Sequence, residues 1–176
     1  MNGLDQKHHA LLLEAQRSGQ SDVESIRLCF EVLALASAID RACAVRLSPH
    51  RLSEGKFVLL FLLRNQSDGL PPHELASRAG VTRATITGLL DGLERDGLVA
   101  RHDDKTDRRK VSVRLTFQGQ ALAGDLFAEH TRWIASLFSG VDQDQRDALS
   151  DLLRHVRRNI DQPATNKAAT ASEVSS

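Results

Sequence analysis

Leu75-Ala76-Ser77-Arg78-Ala79-Gly80-Val81-Thr82-Arg83-Ala84-Thr85-Ile86 is the stretch on which the fold turns. Pro71 and Pro72 suit the first turn of a short helix running from His73 to Ala79, and Gly80 breaks it. Thr82 is a good N-cap for a second helix over roughly residues 83–96, with Ile86, Leu89, Leu90 and Leu93 at helical spacing. Gly97 stands just past its end, where a left-handed residue is wanted. Short helix, turn, capped second helix is the helix-turn-helix arrangement. On DNA the first helix braces the second, whose N-terminal residues reach base edges in the major groove. With the leucines and Ile86 turned to the core, Arg83, Thr87, Gly88 and Asp91 are left on the opposite face, with Thr85 beside them. Thr82, Thr85 and Thr87 are short donors and acceptors, and Arg83 can reach a guanine or a phosphate. Gly88 has no side chain to hold the helix away from a partner backbone.

A capped amphipathic helix alone is also what any small helical core contains. The segment that follows changes the balance. Leu98 to Arg101 reads as a short strand, and Lys-Val-Ser-Val-Arg-Leu over residues 110–115 alternates with period two. Between them residues 102–109 are entirely polar, so the three segments predict a hairpin with a charged tip. Lys105, Arg108, Arg109 and Lys110 supply four cations there. An isolated run of this kind is usually a solvated turn. Directly after a recognition-type helix it favours a wing whose arginine enters the narrow, strongly negative minor groove. From Arg78 to Thr116 nine Lys/Arg face six Asp/Glu, whereas the remainder has fourteen against seventeen. An anionic partner is therefore expected at the middle of the chain.

Outward from this centre the chain is helical. Residues 1–20 are a polar lead with one apolar patch, Leu11-Leu12-Leu13, compatible with a short helix or a loose segment. Ser21 or Asp22 caps a helix over residues 23–45 that ends at Ser48-Pro49. Val23, Ile26, Cys29, Phe30 and Leu33 line one side of it, and Leu28, Val32, Leu35, Ile39 and Ala42 another. A helix apolar over so much of its circumference is buried from several sides, here against a second subunit as well. Ser53 caps the next helix, with Phe57, Leu60, Phe61 and Leu63 as its apolar face. Thr116 caps a long helix reaching about Ser139, and Gly140 stops it. Asp142 caps a last helix carrying Leu149, Leu152, Leu153, Val156 and Ile160 on one side. The Ala/Thr/Ser-rich end is expected to be a disordered tail. The fold class expected is mostly α with a small β-hairpin. It comprises an N-terminal extension (1–20), a helical dimerisation region (21–50 and 116–160), a winged helix-turn-helix domain (51–115) and the tail (161–176).

Composition narrows the function classes. With 41% hydrophobic and 26% charged residues the chain reads as an ordinary globular protein, and a net charge of zero argues against a bulk polycation. No apolar run approaches the ~20 residues of a membrane span, and no secretory leader is expected. Cys29 and Cys43 do not make a disulfide framework, so reduced thiols in the cytoplasm are expected. The seven histidines show no close ligand spacing with Cys or carboxylates; no metal or other cofactor is expected. No nucleophile–base pair or phosphate loop points to an enzyme. Trp133 reads as an interface anchor, and His130 and His155 as helix-surface or interface residues.

The motifs also carry a resemblance. Glu-Leu-Ala at 74–76, Gly-Val-Thr-Arg-Ala-Thr-Ile-Thr at 80–87, Leu-Leu-Asp-Gly-Leu-Glu-Arg-Asp-Gly-Leu-Val at 89–99, Asp107-Arg108-Arg109, and Val-Arg-Leu-Thr at 113–116 followed by Gly119-Gln120-Ala121-Leu122 resemble the MarR family of bacterial regulators. With the flanking helices the similarity covers about residues 22–160. It implies a homodimer in which the first helix and the last two interlock between subunits, and two winged domains placed in successive major grooves of double-stranded DNA. It further implies a repressor of transcription, bound to a pseudo-palindromic operator and released by a small-molecule effector. The DNA-binding residues it implies are Thr82, Arg83, Thr85 and Thr87, with Arg108 or Arg109 in the minor groove. Asp107 would steady the wing through a salt bridge to an arginine near the recognition helix. Arg27-Leu28-Cys29-Phe30 looks like the segment around the reactive cysteine of the organic-hydroperoxide-sensing branch. A thiolate at Cys29 near Arg27 can oxidise. That branch steadies its cysteine with tyrosines, which this chain lacks, and Cys29 falls among Ile26, Phe30 and Leu33, a core setting. The urate-responsive branch has a tryptophan in an added N-terminal helix; here there is none, and its ligand is not carried over. The competing readings are a Cys29 peroxide sensor and a winged-helix module that binds protein. The latter would show an apolar or acidic face where Arg83, Thr85 and Thr87 stand.

Overall fold

The computed structural model describes residues 6–103 and 111–161. Asp107, Arg108, Arg109 and the tail at 162–176 lie outside the described residues. The element order is α1 (Gln6–Arg17), α2 (Val23–Leu47), a single 3-10 turn (Ser48–His50), α3 (Glu54–Leu63), α4 (Pro72–Ala79), α5 (Arg83–Arg95), β1 (Val99–Asp103), β2 (Val111–Leu115), α6 (Phe117–Leu137) and α7 (Gln143–Asp161). The chain divides into two compact units, residues 1–127 and 128–176, and the division falls inside α6.

Short polar side chains set the helix starts, because the first turn of a helix has backbone N–H groups without partners. Asp22 accepts from the N–H of Ser25, Ser53 from that of Lys56, and Thr82 from that of Thr85. Asp142 and Gln145 form a reciprocal capping box at α7: Asp142 Oδ1 accepts from the Gln145 N–H at 2.9 Å, and Gln145 Oε1 from the Asp142 N–H at 3.1 Å. Gly80 ends α4 at φ +66°, in the left-handed region that side chains with a Cβ avoid.

The first unit has one core. Leu47, Leu59, Leu60, Leu63, Leu75, Ile86, Leu90, Leu93 and Val113 are all fully buried, which joins α2, α3, α4, α5 and β2. The strands pair antiparallel, with Val99 opposite Leu115 and Arg101 opposite Val113. The first strand starts one residue later than the sequence suggested and runs on to Asp103. Leu70 adds a one-residue third strand, its N–H donating to Val113 O at 3.0 Å and its carbonyl accepting from the Val113 N–H at 2.8 Å. Gly119, in the first turn of α6, lies so close to the turn between α5 and β1 that a Cβ there would overlap the carbonyl oxygen of Leu98.

One open alternative is resolved and two expectations are corrected. Residues 6–17 form a helix, with His8 and Leu12 buried and the His8 ring stacked on Phe30 at 4.6 Å. Phe61 is partly exposed rather than sealed in the core; it leans on the rings of Phe57 and Phe127. Cys29 is exposed, not in a core setting. The helical period alone does not say which stripe of α2 meets its own chain. Leu28, Val32, Leu33, Leu35 and Val45 of α2 are likewise about half exposed or more. In the second unit no described residue of α7 is buried, and Leu152, Val156 and Ile160 are 65%, 56% and 72% exposed.

Candidate nucleic-acid interface

The recognition-type helix α5 is fixed from behind by its apolar stripe. Ile86, Leu90 and Leu93 are buried, and Leu75 and Ala76 of α4 are buried alongside them. Thr82, Arg83, Ala84, Thr85, Thr87 and Gly88 are therefore exposed together on the outer face. The first turn of α5 carries no acidic residue, so the positive end of its dipole faces outward unneutralised, a setting that favours phosphate.

The polar atoms of this face are not equivalent. Thr82 Oγ1 accepts from the Thr85 N–H at 3.1 Å and shares a hydroxyl–hydroxyl hydrogen bond with Thr85 Oγ1 at 2.9 Å. Thr87 Oγ1 donates to the carbonyl of Arg83, one turn back, at 3.0 Å. Among the described residues the Arg83 side chain has no hydrogen-bond or ion-pair partner, so its guanidinium is available to an external acceptor. A Cβ added at Gly88 would meet nothing within 4 Å.

Asp91, one turn beyond Thr87, is exposed on this same face, as the sequence suggests, but its carboxylate is already engaged. Arg101 of β1 holds it, Nη2 to Asp91 Oδ1 at 2.6 Å, while Nη1 reaches Glu94 Oε2 at 2.7 Å and the Arg101 N–H reaches Glu94 Oε1 at 3.3 Å. The hydrogen bond to Asp91 is the main reason the guanidinium stays above its ordinary pKa. This fork ties the root of the hairpin to the recognition helix, and sequence reasoning missed it. A readable signal existed: two acids three residues apart on one helix, and one arginine in the strand after it. A second tie runs from Lys56 Nζ to Asp96 Oδ2 at 2.6 Å, joining the start of α3 to the end of α5.

Elsewhere, Arg27 is engaged by Glu24 and Glu31, both at 2.6 Å, so two carboxylates already surround the cation next to Cys29. Burial is the main cause that pushes the Cys43 thiol up. An open cleft of about 480 Å³ lies between the end of α3, the following turn, β2 and α6, with Arg64, Arg114, Leu63, Leu115 and Gln120 on its walls. Among the described residues no cluster of three His, Cys, Asp or Glu is placed to hold a metal, and no helix is long and apolar enough to cross a membrane.

A helix-turn-helix backed by one core and followed by an antiparallel hairpin defines the winged helix-turn-helix class of DNA-binding regulators. The profile of the MarR family matches residues 52–111. The HTH-type transcriptional repressor YetL of Bacillus subtilis (strain 168) is 34% identical over 148 residues, covering 84% of this chain and 89% of that protein. The solved structure of the transcriptional regulator PA3341 is 31% identical, with a TM-score of 0.58 over 74% of this chain and 96% of that one. The S. aureus MepR–DNA complex, 21% identical, shares the fold with a TM-score of 0.63 over 71% of this chain and 92% of that one. The chain belongs to the MarR family of transcriptional regulators.

Proposed function

We propose that the protein is a homodimeric repressor that binds a pseudo-palindromic operator in double-stranded DNA and is released by a small-molecule effector. The observation that carries the reading is the outer face of α5, where an Arg83 without a partner among the described residues, three threonines and an open Gly88 surround an unneutralised helix N-terminus. In this reading Thr82, Arg83, Thr85 and Thr87 enter the major groove. Arg108 or Arg109 enters the adjacent minor groove, and Asp107 steadies the wing. The apolar stripes of α2 and α7, each exposed within its own unit, support a second subunit as what covers them. A two-fold dimer then reads half-sites about one helical turn, ~34 Å, apart. Repression is supported by the repressor YetL among the relatives. The cleft walled by Arg64 and Arg114 has a volume suited to a small anionic effector.

The test is a gel-shift titration of the purified full chain, run at several salt concentrations, on duplexes it selects from a random library. Phosphate contacts make such binding weaken steeply with salt. Arg108→Ala with Arg109→Ala should weaken operator binding while sedimentation still shows a dimer. Unchanged affinity at moderate salt would remove the wing from the interface. A monomer indifferent to every duplex at low salt would remove the function itself.

A further inference from the structure

We propose that Thr87 reads DNA through its methyl group, as a reader of thymine, and not through its hydroxyl. The inference rests on the proposed placement of α5 in the major groove. The hydroxyl proton of Thr87 is already spent inside the helix, on the Arg83 carbonyl at 3.0 Å. What the exposed side chain has left for an approaching base is its γ-methyl and one acceptor oxygen tied to the helix. In the major groove the C5-methyl of thymine is the one methyl group among the four bases, and a threonine methyl is a matching contact.

The neighbours fit this division of labour. Arg83, one turn earlier on the same face, keeps its fork of donors free among the described residues, the group that pairs bidentately with guanine O6 and N7. Four residues along a helix advance about 6 Å, and one base step about 3.4 Å. Arg83 and Thr87 therefore address bases within about two pairs of each other. A threonine is short, so its methyl touches a base only if the helix backbone comes close. Gly88, with open space where a Cβ would stand, permits that approach. The half-site inferred is a guanine with a thymine one or two pairs away. Thr82 and Thr85, whose hydroxyls bond each other, are left to the phosphates at the helix start.

The experiment uses the full chain, duplexes selected by the wild-type protein, and the variants Thr87→Ser and Thr87→Val. Each thymine of one half-site is replaced in turn by deoxyuridine, which removes only the methyl. Thermal unfolding checks that both variants fold. At one thymine, deoxyuridine should weaken the wild type about fourfold, the worth of one methyl taken out of water. Thr87→Val, which keeps a γ-methyl, should keep that sensitivity to deoxyuridine. Thr87→Ser should lose about fourfold on the thymine duplex and show no further loss on deoxyuridine. If Thr87→Ser binds as wild type while Thr87→Val does not, the hydroxyl is the reader and the proposal is overturned. It is overturned too if no deoxyuridine effect depends on residue 87. A wild-type chain that selects no sequence would instead refute the DNA reading, before residue 87 comes into question.

Discussion

Replacing Gly88 by alanine should push folding and DNA binding in opposite directions. A glycine inside a helix costs about 0.5–1 kcal/mol relative to alanine, because it loses more backbone freedom on folding. Position 88 is exposed on α5, and an added Cβ would meet nothing within 4 Å of its own chain. Gly88→Ala should therefore stabilise the protein by about that amount and raise Tm by about 1–4 °C. The same methyl stands on the face proposed to lie against bases and phosphate. If the helix docks there, the duplex must move back from it, and overpacking of a close contact typically costs about 1–3 kcal/mol. That corresponds to roughly 5-fold to 150-fold weaker operator binding. Thermal unfolding followed by circular dichroism gives the first quantity, and fluorescence anisotropy with a labelled operator at fixed salt gives the second. A variant that is more stable and binds as tightly as wild type would refute the placement of this face on DNA. A variant less stable than wild type would refute the packing argument itself.

Three further outcomes follow from the ties around the recognition helix. Arg101→Ala removes the fork to Asp91 and Glu94; these partly exposed pairs should cost about 1 kcal/mol together, and operator affinity should fall more than stability does, read by anisotropy beside urea unfolding. Gly119→Ala forces a Cβ onto the Leu98 carbonyl, and the required backbone shift should cost about 1–3 kcal/mol, seen as a lower urea midpoint with an unchanged slope. The hydrogen bond from Lys56 holds the Asp96 carboxyl below its usual range. Because the folded value is the lower one, the pair stabilises fully above the unfolded pKa of about 3.9 and fades as pH falls through the folded value. The Tm gap between wild type and Asp96→Asn should therefore close as pH falls below about 4.

Much of this fold was legible because its signals are local. Thr82 before Ile86, Leu90 and Leu93, and Asp142 before a leucine stripe, each specify a helix start from a few adjacent residues. The alternation Val111-Ser112-Val113 placed the second strand for the same reason. What escaped was non-local. Leu70 joins the sheet through its backbone, which leaves no side-chain pattern to read. The Arg101 fork spans ten residues and looks, in sequence, like three unrelated surface charges. Cys29 was misplaced because α2 has apolar residues on several sides, and only the packing of α1 and α3 against it shows which of them this chain covers itself. The outer face of α5 was foreseeable as a set of residues. The use of each hydroxyl on it was not, since a threonine in a helix has two rotamers that differ in what they bond.

Thr116 gives the domain an economical joint. Its single Oγ1 donates to the carbonyl of Gly97 at 2.7 Å and accepts from the N–H of Gly119 at 3.0 Å, so one oxygen fastens the turn after α5 to the head of the long helix. Only serine or threonine can fill both roles. With the Thr116 N–H on the Leu98 carbonyl at 3.1 Å and Gly119 seated against the same residue, a twist of the first turn of the long helix is passed directly to the segment that follows α5.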